Sequence, residues 1–176
     1  MIDPAALTRA DLEPGEWVTA IASARDEGYT FFDWLSAVDQ TDDEEAPGLD
    51  VVCHVINAST PTALRRKLFR TRVPTGSSLT SLTSVFRGVA WHERETHEMF
   101  GLDFDGFDDG TGLGLRPLLL PDGFEGTPLR KSFVLAARAS KPWPGAKEPG
   151  ESEHAKPTGR RRVSAPGVPD PEWGPR

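Results

Sequence analysis

Hydrophobic positions along the chain recur with two different periods. Trp17, Ala20, Ile21 and Ala24 fall on one face at helical spacing, which predicts a helix over 14–27. Pro14 sits where a first-turn proline is tolerated, and Gly28 is placed to end the helix. Residues 29–39 carry aromatic and branched side chains and read as a strand, although the spacing of Phe31, Leu35 and Val38 also fits a helix. An acidic loop follows over 41–48. Residues 49–56 alternate clearly: Leu49, Val51, Cys53 and Val55 point one way, Val52 and Ile56 the other. Two apolar faces predict a central strand covered on both sides. Residues 64–73 read as a third strand, closed by Pro74. Its Arg65, Arg66, Lys67, Arg70 and Arg72 suit a basic edge strand better than a nucleic-acid stripe. Residues 84–100 predict a second helix, capped by Thr83 or Ser84 and ended by a left-handed Gly101. Together these elements predict an α+β fold, a small mixed or antiparallel sheet with packed helices, over residues 1–106.

Beyond that core the pattern breaks. The run 115–135 is rich in leucine and phenylalanine, yet Pro117, Pro121, Gly123, Gly126 and Pro128 forbid a long helix. Leu120-Pro121-Asp122-Gly123 fits a type I turn. An irregular apolar stretch edged by Arg116, Arg130 and Lys131 suits an arm laid over a partner, so 107–139 is expected to be a partner-binding arm. From Ser140 onward a Pro or Gly comes every few residues and no periodicity survives, which predicts a flexible, disordered-looking tail over 140–176. Trp143 and Trp173 run against pure disorder.

Composition narrows the functional classes. The chain has 176 residues and a net charge of −7. The tail carries seven basic residues against five acidic ones, a net +2, which leaves −9 for the rest. That acidity argues against nucleic acid as the main partner. A single cysteine excludes an internal disulfide, and it excludes an iron–sulfur cluster or cysteine zinc site held by this chain alone. No apolar run approaches the roughly 20 residues of a membrane span, and the first residues lack the basic-then-apolar order of a signal peptide.

Candidate chemistry gathers on the second helix. Glu93 falls amid Val85, Phe86, Val89, Thr96, Met99 and Phe100, whereas Arg94 and Glu95 do not. A buried carboxylate needs a partner, so Glu93 is expected to meet Arg116 or Arg130, unless it lies at a wet rim. Arg94 and Glu98, four apart, are expected to form a surface pair. The string His92-Glu93-Arg94-Glu95-Thr96-His97 superficially suggests a zinc protease, but its histidines are five apart rather than four. Glu93 and His97 would supply two ligands with no evident third. Gly110-Thr111-Gly112-Leu113-Gly114 leads into an extended run rather than a helix, so a flexible insertion is favoured over a phosphate cradle. Cys53 and His54 are adjacent in a strand and point to opposite faces, which leaves Cys53 a core residue.

Two blocks carry a family resemblance. Glu93-Arg94-Glu95, then Glu98-Met99-Phe100-Gly101-Leu102, Phe104 and Gly106, closely resemble the signature of the 30 kDa subunit family of bacterial NADH-quinone oxidoreductase, respiratory complex I. Leu118-Leu119, Pro121-Asp122, Phe124-Glu125-Gly126, Pro128-Leu129-Arg130-Lys131 and Phe133 resemble that family's second block, and Ala37-Val38-Asp39 its earlier portion more loosely. The resemblance covers residues 15–135. Departures from the family pattern include Glu98 in place of an aspartate, Phe107-Asp108 in place of a His-Pro pair, a longer loop to Arg116, Pro117 in place of an arginine, and Ser132 in place of an aspartate.

The resemblance implies a non-catalytic component of the cytoplasmic peripheral arm, docked on the large, hydrogenase-like quinone-site subunit. Flavin (FMN), iron–sulfur clusters and quinone would belong to partner subunits, and membrane association would be indirect, on the cytoplasmic side of the plasma membrane. Glu93, Arg94 and Glu95 would fix the helix against the core and arm. Phe100, Gly101, Phe104, Arg116, Pro121, Asp122, Phe124, Gly126, Pro128, Leu129, Arg130 and Lys131 would form the partner-binding motif. An equivalent component of a membrane-bound hydrogenase or ferredoxin-fed relative, a free-standing binding module, and a hydrolase using Glu93 and His97 are the competing readings.

Overall fold

The computed structural model describes residues 7–60 and 62–134. The expected tail at 140–176, with Trp143 and Trp173, lies outside the described residues, as does the end of the arm. Strand β1 (Leu7–Leu12) leads through a 3-10 turn at Pro14–Glu16 into helix α1 (Trp17–Asp26). Strands β2 (Phe31–Gln40), β3 (Gly48–Asn57) and β4 (Arg65–Pro74) follow. They form one sheet of order β1-β4-β3-β2, antiparallel except for the parallel β1–β4 pair. The fold is therefore α+β with a mixed four-stranded sheet. Residues 31–40 are strand rather than helix, because Leu35 and Ala37 alternate inward against Cys53 and Val51.

One face of the sheet is the core. Leu35, Val51, Cys53, Val55, Phe69 and Val73 are buried with Trp17, Ile21 and Ala24 of α1. The other face differs from the expectation of a second cover. There Asp50 and His54 are buried by side-chain pairing instead: Asp50 accepts from Arg72 Nε at 2.6 Å, and His54 Nδ1 lies 2.7 Å from Asp33. Trp34 stacks on His54, while Val52 and Ile56 stay half-buried.

β4 is an interior strand, not the expected edge. Three of its five basic residues are paired with acidic neighbours: Arg70 with Asp11 of β1 at 2.5 Å, Arg72 with Asp50 and Asp43, and Lys67 with Glu27 at 2.6 Å, while Arg65 lies over the Tyr29 ring. β1 supplies the missing neighbour, in register from Leu7 opposite Arg66 to Leu12 opposite Thr71.

Helix α2 (Val89–Phe100) begins later than Ser84, with Gly88 at its N-cap. Residues 82–88 form turns instead, closed by Val85 N–H and Phe86 N–H donating to the Leu82 carbonyl. Two two-residue strands flank α2, β5 (Leu79–Thr80) and β6 (Phe104–Asp105), and they pair in parallel. α2 ends as expected: Gly101 adopts φ 67 and its N–H donates to the His97 carbonyl at 2.7 Å. α2 packs against β2. No helix among the described residues is long and apolar enough to cross a membrane.

Candidate functional site

The candidate site is the seam between α2 and residues 115–131. Glu93 is fully buried, but it does not meet Arg116 or Arg130. Its carboxylate accepts the Ser81 hydroxyl at 2.7 Å and the Leu82 N–H at 2.6 Å. These short-range donors replace the expected arginine because the turn before α2 folds back over the helix. Burial pushes the Glu93 carboxyl up to about 7, against the lowering effect of the Ser81 and Leu82 hydrogen bonds.

Arg94, next in the chain, is the residue that reaches the arm. Its Nε donates to the Arg116 carbonyl at 3.1 Å and its Nη2 to the Pro117 carbonyl at 2.6 Å. It is buried under that segment, and its guanidinium lies 5.9 Å from the centre of the Trp91 ring. The expected Arg94–Glu98 surface pair does not form, because Arg94 is buried and its guanidinium is taken up by the arm's carbonyls. Glu98 instead accepts the N–H groups of Leu118, Leu119 and Leu120 at 3.1, 2.7 and 2.9 Å. Burial raises the Glu98 carboxyl, but the three N–H donors outweigh it and hold the group below its ordinary range, with a smaller contribution from Arg94. One helical turn thus binds the arm's carbonyls through Arg94 and its N–H groups through Glu98. An irregular backbone is ordered by this means without a sheet. Glu95 is exposed.

The arm is fastened again at the end of α2. Leu129 N–H donates to the Met99 carbonyl at 3.1 Å, and Arg130 Nε donates to the Phe100 carbonyl. Both satisfy carbonyls that a helix end leaves open. Lys131 N–H donates to Asp39 Oδ2 at 2.7 Å, and Lys131 Nζ to Asp42 at 2.6 Å. Asp39 is buried and also accepts from Thr41, with Arg130 Nη1 4.0 Å away. Burial raises the Asp39 carboxyl, but the Thr41 and Lys131 hydrogen bonds and Arg130 bring it below its ordinary value. Sequence reasoning missed Asp39 as an anchor and misjudged Glu98; the loose Ala37-Val38-Asp39 match was the available signal.

The remaining motif residues divide between core and surface. Phe100 and Phe104 are each only 5% exposed and belong to the core, so in this chain they hold the body together rather than face outward. Gly101 packs under Thr127. Arg116 pairs with Asp109 at 2.5 Å and also donates to Thr111, which ties the glycine-rich loop to the arm. The expected turn at 120–123 forms one residue later, closed by Phe124 N–H to the Pro121 carbonyl at 3.1 Å. Gly123 at its third position has φ 78, which suits type II rather than type I. Phe124 stacks on Phe133. Pro121, Asp122 and Gly126 are exposed and Pro128 is half-buried. A cleft of about 260 Å³ between α2 and the arm is lined by His97, Gly101, Leu115, Arg116, Pro121 and Phe124. Exposed apolar side chains stand along the same assembly: Trp91 at 65%, Leu119 at 58% and Leu129 at 54%.

The two histidines do not join a shared centre. His92 Nδ1 faces the Leu35 carbonyl at 3.1 Å, and His97 Nδ1 the Leu102 carbonyl at 3.0 Å. No group of three candidate metal ligands occurs among the described residues. Cys53 is buried, and burial with the nearby Glu93 carboxylate pushes its thiol far up, which suits a core residue rather than a nucleophile.

Residues 10–139, which contain the whole seam, match the family described as respiratory-chain NADH dehydrogenase, 30 Kd subunit. The J subunit of the NAD(P)H-quinone oxidoreductase of Prochlorococcus marinus (strain NATL2A) is 32% identical over 133 residues, covering 70% of this chain and 69% of that one. A matching NADH-quinone oxidoreductase subunit from Mesorhizobium japonicum is 34% identical over 125 residues, covering 70% of this chain and 58% of its own. Among solved structures, a trypsin-resistant fragment of Nqo5 superposes with a TM-score of 0.53 at 20% identity, covering 62% of this chain and 86% of the fragment. A chain of the membrane-bound sulfane sulfur reductase, an archaeal respiratory membrane complex, superposes with a TM-score of 0.55 at 18% identity, covering 66% of this chain and 65% of that one. At those identities the likeness is one of fold.

Proposed function

We propose, from the premise that this chain belongs to the 30 Kd subunit family of respiratory-chain NADH dehydrogenase, that it is a non-catalytic component of the peripheral arm of an NADH-quinone oxidoreductase. In this reading it docks on the large, hydrogenase-like quinone-site subunit. FMN, iron–sulfur clusters and quinone sit in partner subunits, and electron flow from NADH to quinone drives proton translocation elsewhere in the complex. The chain lies on the cytoplasmic side of the plasma membrane and meets the membrane only through the assembly.

The observation that carries this reading is the way α2 holds the arm. Arg94 and Glu98 fix the backbone of 116–120, while Trp91 and Leu119 stay exposed beside it. Rigid aromatic and aliphatic anchors on a pre-ordered backbone are what a protein interface uses, since less ordering remains to be done on binding. The test is an affinity pull-down of the tagged chain from its native membranes, with mass spectrometry and an NADH:quinone assay on the eluate. Recovery of the quinone-site subunit, cluster-bearing partners and NADH-dependent quinone reduction is expected. The same large partner without NADH activity would assign the chain to a hydrogenase-type or ferredoxin-fed relative. The chain recovered alone would overturn the reading.

A further inference from the structure

Glu93 has no part in holding the arm, yet it is the most deeply buried charged side chain among the described residues. Its surroundings form a line of oxygen atoms leading outward. Glu93 Oε2 is 2.7 Å from Ser81 Oγ, and Ser81 Oγ is 2.8 Å from Thr83 Oγ1. Thr83 Oγ1 in turn accepts the Asp108 N–H at 3.2 Å. Thr83 lines a polar cleft of about 360 Å³ together with Ser84, Arg87 and Asp108. Leu82 N–H donates to Glu93 Oε1, and Thr83 N–H donates to Ser81 Oγ.

We propose that Glu93 is a proton-binding switch, connected to the Thr83 cleft by the Ser81 and Thr83 hydroxyls, whose protonation reverses the direction of that hydrogen-bond relay. The reversal is driven by the buried acid O–H, which needs an acceptor and finds Ser81 Oγ within reach of Oε2. An ionised Glu93 can only accept, so Ser81 O–H donates to it and Thr83 O–H donates to Ser81. A carboxyl protonated at Oε2 donates to Ser81 Oγ, Ser81 then donates to Thr83 Oγ1, and the Thr83 proton turns toward the cleft. The Leu82 N–H bond is kept in both states. Thr83 Oγ1 therefore accepts one hydrogen bond in the ionised state and two in the protonated one, and the Asp108 amide that shares it reports the change at the start of the 108–116 loop.

Charged neighbours do not fix Glu93 in either state. On α2, Arg94 is committed to the Arg116 and Pro117 carbonyls, His92 to Leu35, and His97 to Leu102 and Asp103. From β3 the titratable group beside it is Cys53, whose thiol stays protonated. Arg25 of α1 donates to the Val85 carbonyl and to Asp26. On β2, Asp33 pairs with His54, and Asp39 with Thr41 and Lys131. Lys67 of β4 pairs with Glu27, and Asp105 of β6 accepts from Ser78. No ion pair reaches Glu93 among the described residues. Burial that pushes the carboxyl up to about 7 agrees with this isolation. None of these contacts depends on the complex I reading.

The experiment is an NMR titration of the full chain with ¹³Cδ-labelled glutamate and ¹⁵N-labelled backbone. One glutamate resonance is expected to titrate with a midpoint near 7, to be missing in Glu93→Gln, and to be matched by the Asp108 amide shift. In Thr83→Val the carboxyl titration is expected to persist while the Asp108 response disappears. Every glutamate titrating below pH ~5.5, or an Asp108 amide that ignores the Glu93 midpoint, would overturn the switch.

Discussion

Glu98→Ala isolates the grip of α2 on the arm. The carboxylate accepts three backbone N–H groups, from Leu118, Leu119 and Leu120, at 3.1, 2.7 and 2.9 Å. A net hydrogen bond contributes about 1 kcal/mol, and one to a charged group somewhat more. The bond to Leu119 lies in solvent, which reduces its share. The three together then hold the segment by about 2–3 kcal/mol, so their loss should raise the local opening constant by roughly 30- to 150-fold. Native-state amide exchange at Leu118, Leu119 and Leu120 reads this directly, and the amides of β3 serve as an internal control because the global core is untouched. Glu98→Gln, which keeps a neutral acceptor, should fall between the two. The pH dependence has a definite sign. Because the folded carboxyl lies below its ordinary 4.5, the stabilisation is complete above that value and is lost as pH falls through the lower folded one. Protection of the three amides unchanged within about threefold in Glu98→Ala would refute this grip, since a loss of even 1 kcal/mol exceeds that.

Three further outcomes follow from single contacts. Gly101→Ala places a Cβ at φ 67 and 3.0 Å from the Thr127 methyl, so denaturant unfolding should show a loss of about 1–2 kcal/mol. In the wild type, Glu93 binds protons more tightly folded than unfolded, so its contribution is complete below pH 4.5 and is lost as pH rises through about 7. Unfolding free energies should therefore fall by about 3 kcal/mol more between pH 4.5 and 8 in the wild type than in Glu93→Gln. Arg130→Glu removes the donor to the Phe100 carbonyl and places a carboxylate near Asp39, so limited proteolysis should cut 127–134 faster while the core resists.

Much of the fold was legible because its signals were strong and local. The inward alternation of Leu49, Val51, Cys53 and Val55 marked β3, the face of Trp17, Ile21 and Ala24 marked α1, and Gly101 marked the end of α2. β1 has no clear local signal because Leu-Thr-Arg-Ala-Asp-Leu is short, half polar and without strict alternation; its place depends on pairing with β4, which no local pattern encodes. The same lack made β4 look like an edge. Family membership was readable from the blocks at 93–106 and 118–133. The partners within the seam were not, since helical spacing tells which side of α2 a residue occupies but not what folds back over it. Glu93 met Ser81 and Leu82 instead of an arginine for that reason, and Glu98 met three amides that carry no side-chain signature. Phe100 and Phe104 looked like surface anchors by motif, although their apolar rings are more stable inside.

The most direct test of the proposed docking face is the double variant Trp91→Ser/Leu119→Ser, expressed as the tagged full chain in native membranes. Both side chains are largely exposed, so thermal unfolding should shift little. The expected result is wild-type stability, with recovery of the quinone-site subunit and NADH:quinone activity in the eluate cut at least about tenfold, the effect of losing a hot-spot pair. Recovery equal to the wild type, from an equally stable protein, would show that the α2–arm face is not where this chain meets its partner.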